Sequence, residues 1–294
     1  MKRTSFLFLL LFLLALGGYS QQNATVQTID PRVAGAPLEL DSRLMGRKMP
    51  YLVVVPEKYN LKEESGRIYP VIYLLHGLTG RFDNWLSRTA LAKYAAGHDA
   101  IIVTPEGGNG WYTDSLSKEN DKYESYIIKE LIPEIDKKFR TDKRREHRAI
   151  AGLSMGGYGA IKFGLKYPEM FVLVGSFSGA LSAAEFTERS RAGAIGRSID
   201  EIMGPIDGEL RKANDIFDIV RRATPEKIKT LPFIYLDCGT EDFLVQNNRD
   251  FVTLLTEKKI PHEYRQLPGA HNWPYWDRQV QEYLRLADRY FSAK

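Results

Sequence analysis

Apolar residues fall into two patterns that alternate along the chain. Short, near-continuous runs bounded by turn residues cover residues 51–55 before Pro56, 71–75 before His76-Gly77, and 100–103 before Thr104-Pro105. Similar runs cover 148–152, 171–177 and 232–237, and 261–267 also reads as extended. Between them, residues 123–139 carry Ile127, Ile128, Leu131, Ile132 and Ile135 at helical spacing, and 156–166 is amphipathic. Strands that are apolar throughout, separated by helices, belong to a parallel sheet covered on both faces. The pattern predicts an α/β architecture in one domain. Residues 181–230 interrupt it, with short helical patterns, the turn signal Gly204-Pro205 and no good strand. An insertion of this size between two core strands predicts a cap-like helical segment over a site.

Composition narrows the class. The chain has 294 residues, 44% apolar and 12% aromatic, which is too rich in aromatics for a disordered protein and too long for a disulfide-stapled mini-domain. Its single cysteine, Cys238, forms neither an internal disulfide nor a multi-cysteine metal site, and is expected to be buried at a strand end. A net charge of +4, from 41 basic and 37 acidic residues, is too even for a nucleic-acid binder. The basic run 137–148 also contains Asp142 and Glu146 and reads as a solvated connector.

The first residues read as an address. Lys2 and Arg3 precede an unbroken apolar run from Phe6 to Leu16, and Gly17, Gly18 and Ser20 follow it. That is the layout of a secretory signal peptide over 1–20, and the run is too short to span a hydrocarbon core of roughly 30 Å. The expected mature chain, 21–294, is secreted or periplasmic, with no stable membrane anchor after cleavage. Nothing in the sequence specifies its oligomeric state.

Candidate chemistry centres on Gly152-Leu153-Ser154-Met155-Gly156, a G-x-S-x-G between an apolar strand and a helical segment. In that context the serine occupies a sharp, strained strand-to-helix turn, and glycines two residues either side remove collisions. Ser154 is thus the candidate nucleophile. Of the five histidines, only His262 and His271 follow it, as a base must in this kind of enzyme. His262 falls within an extended run, whereas His271 falls on the loop after it, at the sheet's carboxyl edge where catalytic groups gather. His271 is therefore the expected base. The acid belongs on the loop after the preceding strand, where Asp237, Glu241 and Asp242 are all available; spacing leaves the three open. An oxyanion hole needs two backbone N–H groups: Met155, after the serine, and Leu78 in His76-Gly77-Leu78-Thr79-Gly80. His76 is expected to stabilise that loop. No His, Cys or Asp spacing suggests a metal, and the chemistry calls for no cofactor.

The segments HGLTG, PEGGNGWYTDS, ELIPEID, AGLSMGGYGA, GTEDFL and GAHNWPYW, taken in order, resemble the esterase D and antigen 85 group of α/β-hydrolases across nearly the whole mature chain. The resemblance implies the α/β-hydrolase fold, a mainly parallel sheet flanked by helices. It implies a triad of Ser154, Asp242 and His271 with Leu78 and Met155 as hole donors, and so favours Asp242 among the three carboxylates. It also marks Trp111 and Tyr112 as pocket-wall residues; Trp273 is a further aromatic candidate for binding substrate. The implied activity is that of a serine carboxylic-ester hydrolase. An exported member of the group is expected to act on acyl groups of plant polysaccharides, as a feruloyl or acetyl esterase. A general short-chain carboxylesterase, an acyltransferase to a sugar acceptor and a non-catalytic binding module are the alternatives. The expected partner is the ester itself, small or polymeric, and not nucleic acid.

Overall fold

The computed structural model describes residues 37–189 and 193–292. The expected signal peptide lies outside them. Eight strands form one sheet: β1 (Leu38–Ser42), β2 (Arg47–Val54), β3 (Val71–Leu75), β4 (Ile101–Pro105), β5 (Arg148–Leu153), β6 (Leu173–Phe177), β7 (Phe233–Gly239) and β8 (His262–Leu267). Their order is β1-β2-β4-β3-β5-β6-β7-β8. β2 pairs antiparallel with both β1 and β4, and every other pair is parallel. With helices on both faces, this is the α/β architecture that the apolar runs predict and the α/β-hydrolase fold that the resemblance implies.

The helices are α1 (Asn84–Arg88), α2 (Leu91–Ala95), α3 (Tyr123–Tyr126), α4 (Ile132–Lys138), α5 (Met155–Lys166), α6 (Ala194–Met203), α7 (Glu209–Ala213), α8 (Ile216–Arg221), α9 (Pro225–Thr230), α10 (Val245–Glu257) and α11 (Trp273–Ser292). Strand side chains alternate between two apolar layers, as the period of two requires. On β3, Val71, Tyr73 and Leu75 join the layer containing Ile127, Leu131, Ile161 and Phe251, whereas Ile72 and Leu74 join Trp85, Val280 and Tyr283. Both faces are thus sealed, and the chemistry is left to the strand ends.

The helix expected over 123–139 is split by a π-helical turn, Ile127–Leu131, immediately before α4. Pro133, in the first turn of α4, has no N–H to continue an α-helical ladder, which accounts for the break. Within 181–230 the described residues form helices and no strand. α6 is tied to the loop after β4, through Leu116 N–H to the Ile202 carbonyl (2.8 Å) and Ser117 Oγ–H to the Glu201 carbonyl (2.7 Å). α6 buries Ile199, Ile202 and Met203 in the core, and α8 buries Ile216, Phe217 and Val220 in the same layer, with Phe217 edge-on to Phe251 of α10 at 5.0 Å. Both halves of the insertion therefore contribute to the helical layer.

Candidate active site

Ser154 stands between β5 and α5 with φ 54° and ψ −116°, a conformation strongly unfavourable for a residue with a side chain. Three backbone bonds hold it there. Its N–H donates to the Phe177 carbonyl (2.9 Å), and its own carbonyl accepts from Tyr158 and Ala180 N–H (both 3.1 Å). The flanking glycines are required by contact: a Cβ at Gly152 would lie 2.5 Å from the Gly156 carbonyl, and one at Gly156 would lie 2.6 Å from the carbonyl oxygens of Leu75 and His76. Such approaches are closer than any real Cβ tolerates, so the turn closes only with glycine.

His271 follows β8 on the loop into α11, and its Nε2 is 3.1 Å from Ser154 Oγ. Its Nδ1 faces Asp242, 2.9 Å from Oδ2 and 3.2 Å from Oδ1. The three carboxylates of the preceding loop have separate fates. Asp242 is 2% exposed and also accepts the Leu244 N–H at 2.8 Å. Burial alone would raise its pKa, but the bonds from His271 and Leu244 outweigh that and hold it below the ordinary carboxylate value, so it is ionised. Glu241 is exposed, and its carboxylate accepts from Thr240 Oγ–H and Gly269 N–H. Asp237 is fully buried within β7, and burial pushes its pKa well above the carboxylate range. Only Asp242 meets His271. His262 lies within β8, with Nδ1 2.8 Å from the Ile260 carbonyl, away from Ser154.

The loop 76–80 runs against Ser154: a Cβ at Gly77 would lie 3.4 Å from Ser154 Cβ. The Thr79 N–H is taken by Asn109 Oδ1 (2.7 Å) and the Gly80 N–H by the Gly77 carbonyl (3.0 Å). Met155 opens α5, whose first-turn N–H groups lack intrahelical acceptors and carry the positive end of the helix dipole. Met155 directly follows the serine, and the loop that carries Leu78 approaches it through Gly77. His76 is 1% exposed and braces this loop. Its Nε2 accepts the Gly107 N–H (2.9 Å), so Nδ1 carries the proton and donates to the Gly77 carbonyl (2.8 Å).

Trp111 and Tyr112, expected at a pocket wall, are buried, at 2% and 0% exposure. Tyr112 donates its hydroxyl to the His76 carbonyl at 3.0 Å, and Trp111 donates its indole N–H to Ser198 of α6 at 3.2 Å. The Tyr112 carbonyl in turn accepts from Lys162 Nζ (2.7 Å), a fully buried ammonium that pairs with Glu124 (2.9 Å). Burial lowers Lys162 to about 8, while its partners hold Glu124 down at about 2, so the pair is ionised at neutral pH. Trp273 is half-buried and wedged edge-on between Trp85 (5.7 Å) and Trp276 (5.3 Å).

Two further aromatic rings neighbour His271. Trp276 sets its ring edge-on to the imidazole at 4.9 Å and donates its indole N–H to Ser178 Oγ (3.2 Å). Phe243 packs against the imidazole at 4.6 Å. Phe243 stood in the quoted motif GTEDFL, but nothing in the residue pattern singled it out and sequence reasoning missed it. Cys238, at the end of β7, is fully buried, which pushes its thiol up to about 12. Among the described residues no group of three or more His, Cys, Asp and Glu could hold a metal ion, and no helix is long and apolar enough to cross a membrane.

A hydroxyl, an imidazole and a buried carboxylate in series at the carboxyl edge of this sheet have the arrangement of a serine hydrolase of the α/β-hydrolase fold. The family model named Esterase matches residues 42–286, and the chain belongs to that esterase family; it is a carboxylic ester hydrolase. It is 31% identical over 229 residues to an acetyl esterase of Caldicellulosiruptor saccharolyticus, covering 76% of this chain and 85% of that one. It is 26% identical over 283 residues to the S-formylglutathione hydrolase of Bos taurus, covering 87% and 93%. Among solved structures, a ferulic acid esterase superposes with a TM-score of 0.73 at 30% identity, covering 87% of this chain and 98% of its own.

Proposed function

We propose that Ser154, His271 and Asp242 act as a catalytic triad in an exported esterase that removes acyl groups from plant polysaccharides. The observation that carries the triad is the unbroken series from Ser154 Oγ through His271 Nε2 and Nδ1 to Asp242, at 3.1 and 2.9 Å. In this reading His271 takes the Ser154 proton as Oγ attacks the ester carbonyl, and Asp242 holds the imidazole tautomer and stabilises the imidazolium. The Leu78 and Met155 N–H groups receive the developing oxyanion, each contributing roughly 3 kcal/mol to the barrier reduction. The tetrahedral intermediate collapses as His271 returns the proton to the departing alcohol oxygen. Water then adds to the acyl-enzyme with His271 again as base, releasing the acid and restoring the serine.

The likeness to an acetyl esterase and a ferulic acid esterase supports the polysaccharide substrate, and the apolar run behind Lys2 and Arg3 supports export. The likeness to an S-formylglutathione hydrolase along most of the chain favours a second reading, a general short-chain esterase. Turnover of p-nitrophenyl acetate should fall at least 10⁴-fold in Ser154→Ala, and a fluorophosphonate probe should label wild type alone. Undiminished turnover would sink the triad, and an unlabelled wild type would favour a binding module. A panel of methyl ferulate, acetylated xylan and p-nitrophenyl esters, run with and without a sugar acceptor, separates the substrate readings and hydrolysis from transfer. N-terminal sequencing of the protein recovered outside the cytoplasm tests export.

A further inference from the structure

Phe243 is 74% exposed, the most exposed large apolar side chain among the described residues, and the only aromatic ring among those left open to solvent. Apolar residues on a surface are ordinary when scattered, but this one rests against the imidazole of His271, with ring centroids 4.6 Å apart and planes at 49°. Its outward placement is imposed by its neighbours. Asp242 turns inward to His271 and is 2% exposed; Leu244 turns inward to the core and is 7% exposed. The Leu244 N–H donates to Asp242 Oδ1 (2.8 Å) and the Val245 N–H to the Asp242 carbonyl (3.0 Å), closing a turn that leaves the intervening side chain facing solvent.

The side of the substrate that meets this ring follows from the proton route. The departing alcohol oxygen must come within hydrogen-bond reach of His271 Nε2, because that atom returns the proton. The alcohol portion of the ester therefore lies over the imidazole, while the carbonyl oxygen points to the Leu78 and Met155 N–H groups. Phe243 borders the alcohol side. The other aromatics of the region do not compete for this place: Trp111 and Tyr112 are buried, and Trp273 and Trp276 are packed against one another.

We propose that Phe243 is the platform on which the sugar ring bearing the ester rests during turnover. This rests on the polysaccharide reading above and adds the subsite. A pyranose or furanose offers a flat face of C–H groups that packs on an aromatic face, and a ring open on one side lets a polymer run past without threading into an enclosed cavity. Phe243 thus sets specificity for the leaving group and takes no part in proton transfer.

The test compares kcat and KM for acetylated xylooligosaccharides with those for ethyl acetate, whose alcohol is too small to reach a platform. In Phe243→Ala, the ratio of kcat/KM for the saccharide ester to that for ethyl acetate should fall about tenfold, carried by KM, as expected for loss of one aromatic contact. Phe243→Trp should restore most of it. A loss of equal size on both substrates, carried by kcat, would mean that the ring only braces His271 and would overturn the proposal. An unchanged ratio would overturn it as well. Wild-type enzyme that turns over ethyl acetate but no saccharide ester would overturn the polysaccharide reading, and the sugar platform with it.

Discussion

Two histidine–aspartate pairs sit at opposite ends of β5. Past its carboxyl end, His271 Nδ1 meets Asp242 at 2.9 Å; before its amino end, His147 Nδ1 meets Asp142 at 2.6 Å. Both aspartates are almost completely buried. The pairs differ in what the far nitrogen faces. His271 Nε2 faces a serine hydroxyl at the mouth of a helix, whereas His147 Nε2 lies 3.1 Å from the Phe291 carbonyl. Asp142 is also bound by Arg144, whose guanidinium is the main reason its pKa is held well below the usual carboxylate range. It lines a cavity of about 430 Å³ with Arg67, Asp99 and Asp288, far along the strand from Ser154. The same pair of side chains is thus a packing device at one end of a strand and a candidate proton relay at the other. Strand direction makes the difference: only at the carboxyl end does a strained turn present a hydroxyl beside free helix N–H groups.

The largest effect should separate the two pairs by activity. Asp242→Asn should lower kcat about 10⁴-fold with the fold intact, by losing the tautomer and the charge that His271 needs. Asp142→Asn should leave kcat/KM within about twofold, as a parallel esterase assay checks. Comparable losses in both would break the comparison.

Stability should show the reverse. Asp142→Asn removes a buried acceptor shared by Arg144 and His147, and should cost about 1–3 kcal/mol by urea unfolding at pH 7. The pH dependence has a definite sign. The folded pKa of Asp142 is depressed, so its contribution is fully present above the unfolded value of about 4 and is lost as pH falls through the folded one. The gap between wild type and variant should therefore narrow below about pH 4. A gap that widens in acid would contradict this account. His98, which pairs with the half-exposed Asp288 near the same end, should matter least: His98→Gln should cost roughly 0.5 kcal/mol, read as a shift of a degree or two in Tm.

Much of the site was legible because its constraints are local. Near-continuous apolar runs mark β3 to β7, and the glycines around Ser154 announce a turn that nothing bulkier closes. The choice among Asp237, Glu241 and Asp242 was not legible from spacing, because the turn after β7 decides which carboxylate faces His271. β1 was missed because Leu38–Ser42 alternates polar with apolar and is half exposed at a sheet edge. How 181–230 packs was not legible because it depends on α8 meeting α5 and α10, which are remote in sequence. Trp111 and Tyr112 were marked as pocket-wall residues by the resemblance alone, and their full burial was not legible because it depends on packing against residues remote in sequence, Ser198 and His76 among them.

One feature of β7 has a practical side. Cys238 is the only thiol in the chain, and it is sealed at the end of the strand that leads to Asp242. A thiol so deeply protonated and enclosed is inert toward oxidants and disulfide exchange while the sheet is closed. Its modification by an added thiol reagent therefore requires that strand end to open. Cys238 makes the native protein its own stopwatch, timing how often the acid-bearing edge comes apart.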